Sequence, residues 1–197
     1  MVFNSQQFML FFVVVYGLFL LTRNRINTRN LILLIASYIF YGSWDWRFLS
    51  LIILSTVIDY WVGVQLGNTD PSDTRKRRSF MMISLIFNLG MLGIFKYFNF
   101  FVGSFVGLTT ALGFNFDVST LYIILPVGIS FYTFQTLSYS IDIYRGNLEP
   151  TRNLITFATF VAFFPQLVAG PIERANNLLP QLSGKLSITP EKVHSAL

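Results

Sequence analysis

Six apolar stretches, separated by short polar ones, organise the chain: Gln7–Thr22, Asn30–Gly42, Phe48–Leu66, Phe80–Leu112, Leu121–Ile141 and Leu154–Gly170. Lys96 interrupts the fourth. A membrane-crossing helix needs about 20 mostly apolar residues, and most of these runs approach that length. The pattern predicts an all-α fold: a polytopic membrane helix bundle of about six hydrophobic segments.

Composition supports that reading. Of the 197 residues, 53% are hydrophobic and 12% charged, against about 25% charged in a soluble domain. There is no cysteine and one histidine, His194, so disulfides and histidine- or thiolate-based metal sites have no ligands here. The net charge of +5 does not imply nucleic acid, because the basic residues are grouped between apolar spans.

Their distribution predicts orientation. Arg23, Arg25 and Arg29 form one basic group, and Arg75, Lys76, Arg77 and Arg78 form another two spans later. The opposite loop, "GFNFDVST", carries no Lys or Arg, and Arg145 and Arg152 follow the next span. By the positive-inside rule the basic loops are cytoplasmic and the N-terminus is outside. The N-terminal run lacks a basic leader region and a small-residue cleavage site, so it reads as a retained span rather than a signal peptide. Trp44, Trp46 and Trp61 fall near span ends, as interfacial anchors do. Gly63–Gly67 and Gly103–Gly107 have the spacing that permits close helix approach.

Polar groups inside the spans carry the functional information. Asp59 shares a helix face with Ser55, Thr56 and Gly63, which predicts a buried carboxyl hydrogen-bonded to a neighbouring helix. In "ILPVGISFYTFQTLSYSIDIYRG", Gly128, Tyr132, Gln135, Tyr139 and Asp142 align on one helical stripe. With no water in a bilayer core, that stripe must face a partner helix or a cavity, and a lined cavity is the expectation. Pro126 sets a break near the start of this helix. In "FATFVAFFPQLVAGPIERA" Pro165 disrupts the span after about two and a half turns, and Pro171 forces Gly170 out of helical conformation. Gln166, Glu173 and Arg174 then supply polar groups. Two readings stand side by side: a broken or re-entrant helix at the wall of a wet chamber, or a span that ends early at the interface.

These last two motifs, with the opening "VFNSQQFMLFF", "RNLILLIASYIFYGSWDWRFL", "STVIDYWVG" and "NLGMLGIFKYFNFF" in the same order, resemble bacterial membrane-bound O-acyltransferases and within them the alginate O-acetylation branch. The resemblance covers essentially the whole chain. It implies a bacterial inner-membrane enzyme whose helices surround a polar funnel. An acyl donor, a thioester or similar co-substrate delivered by a carrier on the cytoplasmic side, would pass its acyl group to a hydroxyl of a polysaccharide or other envelope acceptor. Periplasmic or extracellular partner proteins are compatible with that scheme; a bound cofactor is not expected. Gly128, Tyr132, Gln135, Tyr139, Asp142, Pro165, Gln166, Gly170 and Pro171 would line the path, and Arg174 would meet anionic head groups at its mouth.

The family's catalytic histidine lies in a later apolar segment. His194 follows the polar "SITPEKV" and is not its equivalent, so no catalytic residue is assigned within residues 1–197. Thr189–Pro190–Glu191 is a helix start with only about two turns after it, which reads as the N-terminal part of a longer membrane domain. A transporter or channel, and a non-catalytic membrane scaffold, are the other classes that broken helices accommodate.

Overall fold

The computed structural model describes residues 5–113, 126, 128–169 and 173–184. Among them all regular structure is helical. In chain order the helices are α1 (Gln6–Thr22), α2 (Ile26–Asp45), α3 (Leu49–Asn68), α4 (Thr74–Leu92), α5 (Phe98–Ala111), α6 (Ile129–Tyr144), α7 (Leu154–Ala162), α8 (Phe164–Ala169) and α9 (Ala175–Ser183).

Local chemistry sets the boundaries. Side-chain oxygens of Ser5, Asp73 and Asn153 accept from the backbone N–H groups of Phe8, Lys76 and Thr156, capping α1, α4 and α7. The chain turns between α2 and α3 at the Trp44–Asp45–Trp46 corner. Asp45 is extended there (φ −157°, ψ 110°), and its carboxylate holds both the backbone N–H and the guanidinium of Arg47. The 43-residue apolar stretch Ile26–Asn68 is thereby divided into two arms of 20 residues, each about 30 Å long. The second long stretch, Thr74–Ala111, is broken by a widened π-turn at Gly93–Tyr97 around Lys96. Both stretches are long and apolar enough to cross a membrane. Helix α2 starts four residues before the expected span, because Arg29 and Asn30 find partners inside the bundle. Of the fifth apolar run, residues 121–125 lie outside the described part, and α6 begins at Ile129 after Gly128 takes a left-handed φ of +77° that glycine adopts without strain.

The surface and the interior exchange their usual composition. Leu10, Val13, Leu21, Ile86, Phe100, Phe101, Phe105 and Leu108 are exposed, whereas Asp59, Asn88, Arg29 and Asn30 are at or near zero exposure. An exterior this apolar suits hydrocarbon rather than water. It is the surface of a membrane protein. Helices α2, α3, α6 and α7 make the centre, α4 packs on α3 and α6, and α1 packs on α2. Helix α5 packs chiefly on the π-turn before it, and its side chains are largely exposed.

Two arginines from the basic clusters close helix ends. Arg77 donates to the carbonyls of Leu66 (2.8 Å), Ile143 (3.2 Å) and Tyr144 (2.9 Å), so one guanidinium caps the C-termini of both α3 and α6. Arg29 is buried and donates to Leu182 and Gly184 carbonyls at the C-terminus of α9. A cation there satisfies orphan carbonyls and complements the negative end of the helix dipole. Arg75, Lys76 and Arg78 remain exposed.

The two glycine pairs separate cleanly. A Cβ on Gly63 would sit 2.7 Å from the Tyr139 ring, and one on Gly67 would meet Pro150, whereas Gly103 and Gly107 face open space. Only the first pair is a close-approach site. Gly63→Ala is expected to lower stability by about 1–3 kcal/mol through overpacking, while Gly103→Ala leaves it unchanged or slightly raised, as measured by thermal unfolding in detergent.

Candidate functional site

The break between α7 and α8 is the least regular feature of the centre. Helix α7 ends after nine residues at Ala162, Phe163 swings to φ −55°, ψ 106°, and α8 begins at Phe164. The expected disruption falls where Pro165 predicts it, since proline has no N–H to continue the ladder. In an unbroken helix the Phe164 N–H would bond the Phe160 carbonyl. Here it donates instead to Ser37 Oγ on α2 (3.2 Å), and the Phe160 carbonyl accepts from Gln135 Nε2 on α6 (2.7 Å). Ser37 in turn donates to the Leu33 carbonyl (2.7 Å). Gln135 Nε2 also lies 3.4 Å from Gln166 Oε1, one residue past Pro165. Ser37, Gln135 and Gln166 are all buried, so the irregular backbone is satisfied from two neighbouring helices without solvent.

The stripe on α6 divides along its length. Gln135 meets the break. Tyr132, about one turn earlier, is fully buried, and its hydroxyl has no hydrogen-bond partner among the described residues; the Thr133 hydroxyl is in the same state. Tyr139 is taken up by structure: its hydroxyl accepts from the Thr151 N–H (3.2 Å) and its ring lies 4.5 Å from that of Phe157. Asp142 is half-buried near the end of α6, and its backbone carbonyl accepts from Asn147. Gly128 caps the start of α6. Pro165 is half-buried at the break, and Arg174 is exposed at the start of α9. Gly170, Pro171 and His194 lie outside the described residues. The structure therefore brings Gln135, Gln166 and Pro165 together, sets Tyr132 beside them on α6, and leaves Tyr139, Asp142 and Arg174 elsewhere.

Two partners of this region have no distinctive sequence signal. Ser37 is one hydroxyl in an apolar run, and the Phe160 carbonyl is backbone. Asp59 was legible and is more connected than its own helix face suggests. Its carboxylate accepts from Ser84, from Asn88 Nδ2 (2.7 Å) and from Ser140 (3.0 Å), and Asn88 Oδ1 accepts from Thr136 (3.2 Å). That network ties α3, α4 and α6 into one unit behind the stripe. Asn30 does the same for α2, α7 and α9, donating to Thr156 Oγ1 (3.0 Å) and the Leu182 carbonyl (2.9 Å) while its own carbonyl accepts from Thr159. Among the described residues no cluster of His, Cys, Asp and Glu can hold a metal ion.

Comparison with known proteins adds the following. The chain is 44% identical to the probable alginate O-acetylase AlgI of Pseudomonas syringae pv. tomato over 94% of its own length and 35% of the relative's. It is 45% identical to the probable alginate O-acetylase AlgI of Pseudomonas aeruginosa over 93% of its length and 35% of the relative's. At 32% identity, it also matches a peptidoglycan O-acetyltransferase of Helicobacter pylori over 94% of the chain and 39% of that protein. No family model and no solved structure matches. The chain is thus a homologue of proteins named for O-acetyl transfer to envelope polymers. It is a relative of the alginate O-acetylases, and it spans about a third of their length.

Ser37→Ala and Gln135→Leu each leave one backbone group of the break buried without a partner. Each is expected to cost about 1–3 kcal/mol. Thermal unfolding of the two variants checks this, with Ser138→Ala on the same helix as a near-neutral control.

Proposed function

We propose that residues 1–197 form the entry and one wall of a membrane-bound O-acetyltransferase that modifies a hydroxyl of an envelope polysaccharide. The observation that carries this reading is the 42–45% identity to alginate O-acetylases across more than nine-tenths of the chain. The broken α7 fits it, because irregular backbone at membrane depth is held where it is buried in protein or lines a cavity. The protein sits in the bacterial inner membrane with several crossings and its N-terminus outside. The donor is a thioester or similar acyl carrier arriving from the cytoplasmic side, and the acceptor, with any partner proteins that deliver it, is on the far side.

In this scheme the acceptor oxygen attacks the acetyl carbonyl carbon, a C–O bond forms and the C–S bond breaks. The hydroxyl proton passes to a general base and then to the departing thiol. The base is a histidine outside residues 1–197. This part of the protein positions the reactants. Tyr132 offers a buried donor with no competing partner, and Gln166 presents its amide at the break. Gly128, Gln135 and Pro165 shape the wall, and Arg174 faces anionic groups at the mouth.

Tyr132→Phe is the sharpest test, because it removes a hydroxyl that has no partner among the described residues. In the full-length enzyme, acetyl transfer to the polysaccharide should fall about ten-fold or more with unchanged expression, and Gln166→Leu should do the same. Unchanged transfer in both variants would remove these residues from the path. Absence of transfer by the unaltered full-length protein would overturn the acetyltransferase reading itself.

A further inference from the structure

A cleft of about 240 Å³ opens between α1, α2, the α7–α8 break and α9. Its outer wall is a ladder on α1. The rings of Phe12 and Tyr16 stack at 6.0 Å with planes 10° apart, and those of Tyr16 and Phe19 at 6.3 Å with planes 19° apart. The three rungs span roughly 10 Å along the helix, which gives the slot one long aromatic wall. Val15, Leu33 and Phe164 make its floor. Its lining is apolar except at one end, where Arg29 and Gln181 reach it.

That end is basic and uncompensated. Arg29 is buried at 1% exposure, and its hydrogen-bond partners are the Asn30 amide and backbone carbonyls of residues 181, 182 and 184. None of these carries formal charge. Arg23 and Arg25, in the turn between α1 and α2, are exposed. No acid among the described residues pairs with any of the three, although Arg47 and Lys76 elsewhere each have one. A cation in apolar surroundings is weakly screened, so its field extends into the slot. The C-terminal dipole of α9 offsets only part of a unit charge.

An apolar slot reached by Arg29, with the exposed Arg23 and Arg25 in the turn just beyond Phe19 and no acid among the described residues paired with them, matches an acyl chain that carries an anionic head. We propose that this slot holds one acyl chain of an anionic membrane phospholipid, with its phosphate drawn to Arg23 and Arg25 over the field of Arg29. The slot also takes in Phe163 and Pro165 of the break, and none of the polar residues of the α6 stripe lines it. The bound lipid is a resident that braces α1 and α9 against the break.

The test uses native mass spectrometry of the purified full-length protein in mild detergent, with matched-chain phosphatidylglycerol and phosphatidylcholine as probes and glycerol phosphate as the head-only competitor. The proposal predicts one retained phosphatidylglycerol, preferred over phosphatidylcholine by about five-fold or more. Val15→Trp, which fills the slot, should abolish retention. Gln181→Glu, at an exposed position beside Arg29, places a carboxylate at the basic end and should remove the preference without disturbing the core. Equal retention of the two lipids overturns the proposal. So does retention untouched by either variant, which would assign the lipid to the general surface. Displacement by glycerol phosphate alone overturns it too, by reducing the site to an anion contact.

Discussion

Everything in the centre of this bundle depends on how one broken helix satisfies its backbone. A helix interrupted by proline inside an apolar environment leaves donors and acceptors that lipid cannot serve. Here the Phe164 N–H goes to Ser37 and the Phe160 carbonyl to Gln135. Those two side chains stand on α2 and α6, on different sides of α7. The break is therefore only as fixed as the placement of its neighbours, and they are fixed in turn by buried polar networks. Asp59 binds α6 to α3 and α4, and Asn30 binds α2 to α7 and α9.

This arrangement explains why a chain so apolar keeps its polar residues inside. Hydrophobic burial distinguishes poorly between one helix pairing and another when the exterior is equally apolar, because lipid is as good a neighbour as leucine. Hydrogen bonds with defined partners then decide register. Gly63 lets α3 approach Tyr139 of α6, Arg77 closes the ends of those same two helices, and Asp59 pins them between. Three separate contacts thus specify a single pairing. The proposed function would use that rigidity, since groups that present a donor and an acceptor must be held within a fraction of an ångström.

Much of this was legible in the sequence, and the rest was not for identifiable reasons. Hydropathy located the long apolar helices because apolar runs and spans share one length scale, but it gave no sign of the short α9. Pro165 located the break because the missing N–H is a property of the residue itself. Periodicity placed Gln135 and Tyr139 on one stripe, but it could not say that a loop amide at Thr151 claims the Tyr139 hydroxyl while Tyr132 has no described partner. The same limit applies to Arg77. In sequence it is one member of a basic run read for topology, and only the three-dimensional meeting of the α3 and α6 ends gives it a separate role. Ser37 had no signal, since a lone hydroxyl in an apolar helix commonly bonds its own preceding turn, as Ser37 also does.

The central claim is that side chains from neighbouring helices complete the broken backbone. Hydrogen exchange at the Phe164 amide, followed by NMR on protein labelled at phenylalanine nitrogen, tests it most directly. The account predicts strong protection, comparable to the interior of α7, and loss of that protection at Phe164 when Ser37 is replaced by alanine. Rapid exchange in the unaltered protein, or protection that survives the loss of the Ser37 hydroxyl, would contradict it.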